Sequence, residues 1–132
     1  MCEKIINLKK TEHSIALLLS QNGIMSAKEL QDKINVDKAT IYRNLKNLIK
    51  KETIREIKNS EGIGFYEISC KIHNPIHPHF ECKKCKKIYC LEPLKAEDVI
   101  VLSNYTQNEI NEIEIKLKGI CNECKKTDTF YI

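Results

Sequence analysis

Nowhere do the 132 residues contain an apolar run approaching the roughly 18 residues that a membrane-spanning helix requires, so no membrane segment is expected. The N-terminal stretch MCEKIINLKK lacks the long apolar core and small-residue cleavage site of a secretory signal, which leads to the expectation of a cytosolic protein. Internal repeats and low-complexity tracts are missing, and two of the only three prolines fall together at Pro75 and Pro78. No acid sits convincingly as a general base beside an open metal position. A small zinc hydrolase or thiol oxidoreductase built on the histidines and cysteines is therefore disfavoured, and the expectation is a non-enzyme.

What is plentiful is cysteine, with seven in the chain. In a reducing compartment these are not expected to form a disulfide framework, and two pairs have metal-ligand spacing. The hydrophobic fraction of 42% and charged fraction of 30% are those of a soluble globular protein. The length suits one ordinary domain or two small ones, and small domains gain most from a staple. The net charge is +4, and its placement is more informative than its size. Residues 37–58 carry Lys38, Arg43, Lys46, Lys50, Lys51, Arg55 and Lys58 against Asp37, Glu52 and Glu56, which accounts for the whole excess. A local basic face of this kind can bind phosphate.

The pattern of elements is legible in the first half. Residues 11–21 group Ile15, Leu18 and Leu19 on one helical face, and Asn22-Gly23 stops that helix. Ser26-Ala-Lys-Glu29 has the form of a capping box and opens a second helix with Ala27, Leu30 and Ile34 inward. Asp37 is the expected N-cap of a third helix, in which Ile41, Leu45, Leu48 and Ile49 recur at helical spacing. Two β-like runs, 53–58 and 63–69, flank the turn Asn59-Ser-Glu-Gly62. Three short helices and a hairpin predict a winged helix-turn-helix over residues 1–69. Residues 70–79 (CKIHNPIHPH) read as a hinge, and residues 80–132 as a small α/β domain with a helix near 94–103. Within 111–118, Ile113, Ile115 and Leu117 alternate with charged residues, which predicts a strand with one buried face. The fold class expected is α+β.

Cys82-Lys-Lys-Cys85 and Cys121-Asn-Glu-Cys124 are two CxxC pairs separated by 35 residues. Each tight knuckle brings two sulfurs to one point, and four thiolates complete the tetrahedron that Zn2+ accepts. A closed four-sulfur site leaves no position for water, so its role is structural, supplying folding energy to a module of about 60 residues. A thioredoxin-like redox pair is the rival reading, but it needs one CxxC at a helix start after a strand.

Asp37-Lys-Ala-Thr-Ile-Tyr-Arg-Asn-Leu45 on the third helix, followed by a wing, a histidine-rich hinge and the run His77-Pro-His79-Phe-Glu-Cys82-Lys-Lys-Cys85, resembles the ferric uptake regulator (Fur) superfamily over nearly the whole chain. The resemblance implies a cytosolic homodimer, with residues 80–132 as its small α/β dimerisation domain, whose metal-loaded form binds a palindromic double-stranded DNA operator and usually represses it. The residues themselves point the same way, since a recognition helix enters the major groove with its N-terminal half. Lys38, Thr40, Tyr42 and Arg43 are the candidates to reach bases or adjacent phosphates. Arg43 can read a guanine bidentately, and Lys46 and Lys50 suit phosphates. The plain alternative is that these charges are the solvated face of an amphipathic helix, and that the Tyr42 ring packs under the second helix.

The resemblance also implies a second, regulatory metal site. His77 and His79 match the family's H-x-H pair, and at that spacing both rings can turn to one ion. Several iron- and peroxide-sensing members of the family use an acid shortly after the first CxxC and a histidine just before the second helix; here those positions carry Cys90 and Ile24. The chain instead offers Glu56, Cys70, His77 and His79 in the order found in the zinc-uptake regulators. His73, Cys90 and Glu67 stay open as the third or fourth ligand. Cysteine with histidine suits tetrahedral Zn2+, which makes zinc the expected effector, with Fe2+ or Mn2+ as the alternative. A further regulatory site of some relatives is not expected, because Ile76 and Pro78 stand where its ligands would alternate. A metal-insensitive relative with a purely structural His/Cys cluster is the remaining alternative.

Overall fold

In the computed structural model, residues 8–70 and 77–128 are described, and the chain divides between residues 75 and 76 into two compact units. The first unit runs α1 (Lys10–Asn22), β1 (Ile24–Ser26), α2 (Ala27–Lys33), α3 (Lys38–Lys50), β2 (Ile54–Lys58) and β3 (Gly64–Ile68). The capping box predicted at the start of α2 forms: the Ser26 hydroxyl accepts from the Glu29 N–H, and the Glu29 carboxylate accepts from the Ser26 N–H, each at 3.2 Å. Asp37 caps α3 by accepting from the Thr40 N–H at 2.8 Å, and Gly23, at φ 88°, ends α1 by donating to the Leu19 carbonyl. These caps satisfy backbone groups that a helix end leaves without partners.

Packed between the helices and a three-stranded antiparallel sheet of order β1-β3-β2 lies the core of Ile15, Leu19, Leu30, Ile41, Leu45, Leu48, Ile54 and Tyr66. Each such side chain contributes about 1.5–3 kcal/mol by leaving water. Ile49, expected in this core, is 37% exposed instead. It lies about 80° around the helix from Ile41, outside the stripe that Ile41, Leu45 and Leu48 fill. The turn between β2 and β3 is held by Asn59, whose side-chain oxygen accepts from the N–H groups of Glu61 and Ile63, and Gly62 takes the left-handed conformation the turn needs. Next to it, a Cβ on Gly64 would run into the Glu56 carboxylate and stand 2.8 Å from the Tyr66 hydroxyl.

One buried charge ties the first helix to the third. Glu12 on α1 is 1% exposed, and its carboxylate accepts from Lys51 Nζ at 2.9 and 3.1 Å and from the Lys9 N–H. Burial opposes ionisation, but the Lys51 ammonium and the Lys9 N–H outweigh it and hold the carboxyl below its ordinary value of 4.5. A depressed carboxylate pKa stabilises the fold above the unfolded value and loses that effect as the pH falls through the native one. Glu12→Gln is therefore expected to lower stability at pH 7 by about 1–3 kcal/mol in urea unfolding. The gap to the wild type should close as the pH drops below about 4.5; a gap independent of pH would contradict an ionised Glu12.

The second unit comprises β4 (His79–Cys82), β5 (Ile88–Cys90), α4 (Ala96–Ser103), β6 (Lys116–Gly119) and α5 (Asn122–Asp128). Its sheet has the order β5-β4-β6, antiparallel between β4 and β5 and parallel between β4 and β6. The strand expected over 111–118 is shorter and later. Alternation marks which side chains could share a face, whereas a strand also needs a backbone partner, and β4 runs alongside only from the His79 N–H to Ile115 carbonyl bond onward. Leu117, expected on the buried face, is 51% exposed. No helix among the described residues is long and apolar enough to cross a membrane.

Candidate metal centres and nucleic-acid interface

The end of β4 and the start of α5 converge on the four cysteines. Cys82 closes β4, and the chain then folds back tightly, with the Cys82 N–H donating to the Lys87 carbonyl and the Lys86 N–H to the Cys82 carbonyl, both at 3.0 Å. Lys86, at φ 66°, makes the reversal. Parallel pairing of β4 with β6 sets Cys82 beside Gly119, so Cys121 arrives two residues later and Cys124 one turn into α5. All four sulfurs lie within 4.8 Å of one another, with Cys85 and Cys121 Sγ 3.9 Å apart. A Zn–S bond of about 2.3 Å in a regular tetrahedron gives an S···S edge of about 3.8 Å, so the cluster fits a structural zinc ion.

The surroundings are those of thiolates. Burial works against charge on Cys82, yet the N–H groups of Cys121, Cys85 and Lys84 all donate to its sulfur at 3.4 Å and pull its pKa to about 6. The Tyr89 hydroxyl, then the Cys124 N–H, lower Cys121. Burial and its sulfur neighbours push Cys124 up to about 12.

A second group of donors stands at the other end of β4. His77 is buried, His79 is half-buried and Cys90 is exposed. Residues 77 and 79 lie two apart, with ring centroids 4.6 Å from each other, and the antiparallel register sets Cys90 directly opposite His79. Their ligand atoms lie within 4.8 Å of one another. Imidazole and thiolate together form a donor set for a borderline-soft divalent ion.

Other sequence candidates belong to the first unit. The Glu56 carboxylate accepts the Tyr66 hydroxyl at 2.8 Å, Cys70 is buried with the winged-helix core, and Glu67, fully buried, pairs with Arg55 at 2.7 Å. His73 lies outside the described residues.

On α3, Lys38, Tyr42, Arg43, Lys46 and Lys50 are exposed and Thr40 is half-buried. At 100° per residue the four cations and Tyr42 occupy one arc of about 140°, which adjoins the arc of Ile41, Leu45 and Leu48 without overlapping it. Tyr42 is 48% exposed, with Lys38 Nζ 5.9 Å from its ring centroid. This face has the charge and hydrogen-bonding groups to meet phosphates and base edges.

Two features escaped the sequence reading. Glu81, 1% exposed on β4, is paired with Lys116 Nζ on β6 at 2.7 Å, and Tyr89 reaches the cysteine cluster from β5. Both depend on which strands become neighbours, and no local pattern signals that.

Known proteins resemble this chain over most of its length. Residues 5–118 match the model of the Ferric uptake regulator family. A ferric uptake regulation protein of Campylobacter upsaliensis is 28% identical over 123 residues, covering 92% of this chain and 77% of that protein. Among solved structures, the Helicobacter pylori ferric uptake regulator matches with a TM-score of 0.71 at 24% identity, over 90% of this chain and 82% of that one. A zinc uptake regulator complexed with zinc and DNA matches with a TM-score of 0.55 at 21% identity, over 94% and 87% of the respective chains.

Proposed function

The chain belongs to the ferric uptake regulator family, a family of transcription regulators rather than enzymes, and from that premise we propose that it is a cytoplasmic, DNA-binding repressor whose effector is zinc. The observation that carries the reading is the cluster of His77, His79 and Cys90, separate from the four-cysteine centre. Carboxylate and carbonyl oxygens suit manganese and magnesium, whereas imidazole with thiolate suits zinc. Glu56 and Cys70 stand as further ligand candidates on sequence grounds. The exposed face of α3 is the proposed operator-reading surface, with Arg43 at a base and Lys46 and Lys50 at phosphates.

We assign the working form as a homodimer. α4 has no buried residue, and Val99, Ile100 and Val101 are 40%, 61% and 56% exposed. An apolar helix of this kind is covered in a stable protein, and a second copy of the chain supplies the cover most simply. Metal and operator then strengthen each other's binding, because the metal favours the DNA-competent arrangement.

Metal stoichiometry tests the proposal. About two zinc ions per chain should fall to one on mild chelation, with operator binding lost and restored by zinc. The named relative is a ferric uptake regulation protein, so iron is the second reading. One zinc that persists throughout, with DNA binding restored by iron or manganese, would decide for that reading.

A further inference from the structure

The four-cysteine centre has a side chain that the metal-site pattern does not include. Tyr89 sits on β5 with its ring 6.4 Å from that of Phe80, and Lys87 Nζ lies 5.5 Å from the ring centroid. Its hydroxyl donates to Cys121 Sγ. Apart from the cysteine thiols themselves, the other donors described around these sulfurs are backbone N–H groups, from Lys84, Cys85 and Cys121 to Cys82 and from Cys124 to Cys121. Those are fixed by the knuckles, whereas the Tyr89 hydroxyl is delivered by a neighbouring strand. Beside it opens a cavity of about 310 Å³ lined by Phe80, Tyr89, Leu91, Ile120 and Cys121 together with the start of α5. Cys121 is 7% exposed, so this mostly apolar cavity is the approach by which a small uncharged reagent meets its sulfur.

We propose that Tyr89 is a positioning residue of the structural metal centre, and that its hydroxyl restrains the Cys121 thiolate against attack by small electrophiles entering the adjoining cavity. A hydrogen bond to sulfur withdraws electron density from the lone pair that would otherwise form a new bond, and it fixes the sulfur's orientation in the tetrahedron. A hydroxyl at this place separates a centre that must hold its metal from chemistry that would eject it. The inference rests on the four-cysteine centre binding zinc.

N-ethylmaleimide provides the probe. The Cys121 Sγ electron pair forms a C–S bond to one alkene carbon, the π pair of the broken double bond takes a proton from water at the other, and the resulting neutral thioether no longer holds the ion. The full-length protein, first freed of loosely held metal by mild chelation, is assayed for retained zinc and then for zinc release to a chromophoric chelator. Absence of retained zinc in the wild type would remove the premise. With zinc present in both proteins, Tyr89→Phe is expected to release it roughly three- to ten-fold faster, the range that loss of one hydrogen bond supports. Mass spectrometry at partial reaction should show Cys121 gaining modification relative to Cys85. Equal rates, or an acceleration shared evenly by all four cysteines, would overturn the proposal. Cobalt-substituted protein gives a reading without any electrophile: the sulfur-to-cobalt charge-transfer band should move to lower energy in Tyr89→Phe, and an unmoved band counts against it.

Discussion

Cys82→Ser, or removal of the structural metal by a strong chelator, is expected to unfold the second unit while the winged helix stays folded. The two units differ sharply in what holds them. The first has a continuous core of more than ten buried side chains drawn from every helix and strand. The second has Ile88, Cys82 and Cys121 as its buried hydrophobic residues among those described, beside the Glu81–Lys116 pair and His77. Modules below about 70–80 residues rarely draw more than 3–5 kcal/mol from a core, and structural zinc supplies on the order of 10 kcal/mol. Cys82 is the ligand to choose, because it ends β4 and receives three N–H donors, so serine also replaces their thiolate acceptor by a neutral hydroxyl on a shorter bond. Hydrogen exchange followed by proteolysis reads the two units separately. Protection of the amides in β4, β5 and β6 should collapse, while those in α1 and α3 keep theirs. Retained protection in β4–β6 after the zinc is shown to be gone would mean that the second unit is held by something other than the metal.

The same contrast explains how far the sequence could be read. Local chemistry is written in consecutive residues: the capping box at Ser26 and Glu29, the Asp37 cap, the Asn59–Gly62 turn and the period of Ile41, Leu45 and Leu48 all appear where expected. The cysteine spacing likewise specified a four-sulfur cluster, because each knuckle is a local structure. What depends on pairing was harder to read. β1 is three residues long and exists only because β3 lies beside it, and the strand expected over 111–118 begins only where β4 offers a partner. Cys90 illustrates the point in the site itself. Nothing in sequence spacing joins it to His79, 11 residues earlier; the antiparallel register of β4 and β5 does. Tyr89, one residue before it, faces the other metal centre for the same reason, since successive strand residues point to opposite faces.

Alanine at both His77 and His79 is expected to abolish metal-dependent operator binding without disturbing the four-cysteine zinc. The two substitutions remove both imidazoles and leave Cys90 as the donor of that unit, and a site stripped of its nitrogen ligands loses most of its hold on a divalent ion. The cysteine centre is built from the opposite end of β4 and from α5, so its zinc content should stay at one per chain. Coupling between effector and operator is a free energy shared by both ligands, typically about 5- to 150-fold in affinity. In the wild type, zinc should raise operator affinity by a factor in that range, and operator DNA should raise zinc affinity by the same factor. The double variant should bind the operator at the metal-free level whatever the zinc concentration. Fluorescence anisotropy with a labelled operator, in zinc-buffered solution, measures the first, and zinc titration with and without DNA measures the second. Undiminished zinc dependence in the double variant would remove these histidines from the effector site. A wild type whose zinc affinity ignores the operator would remove the metal from regulation, since linkage requires both effects or neither.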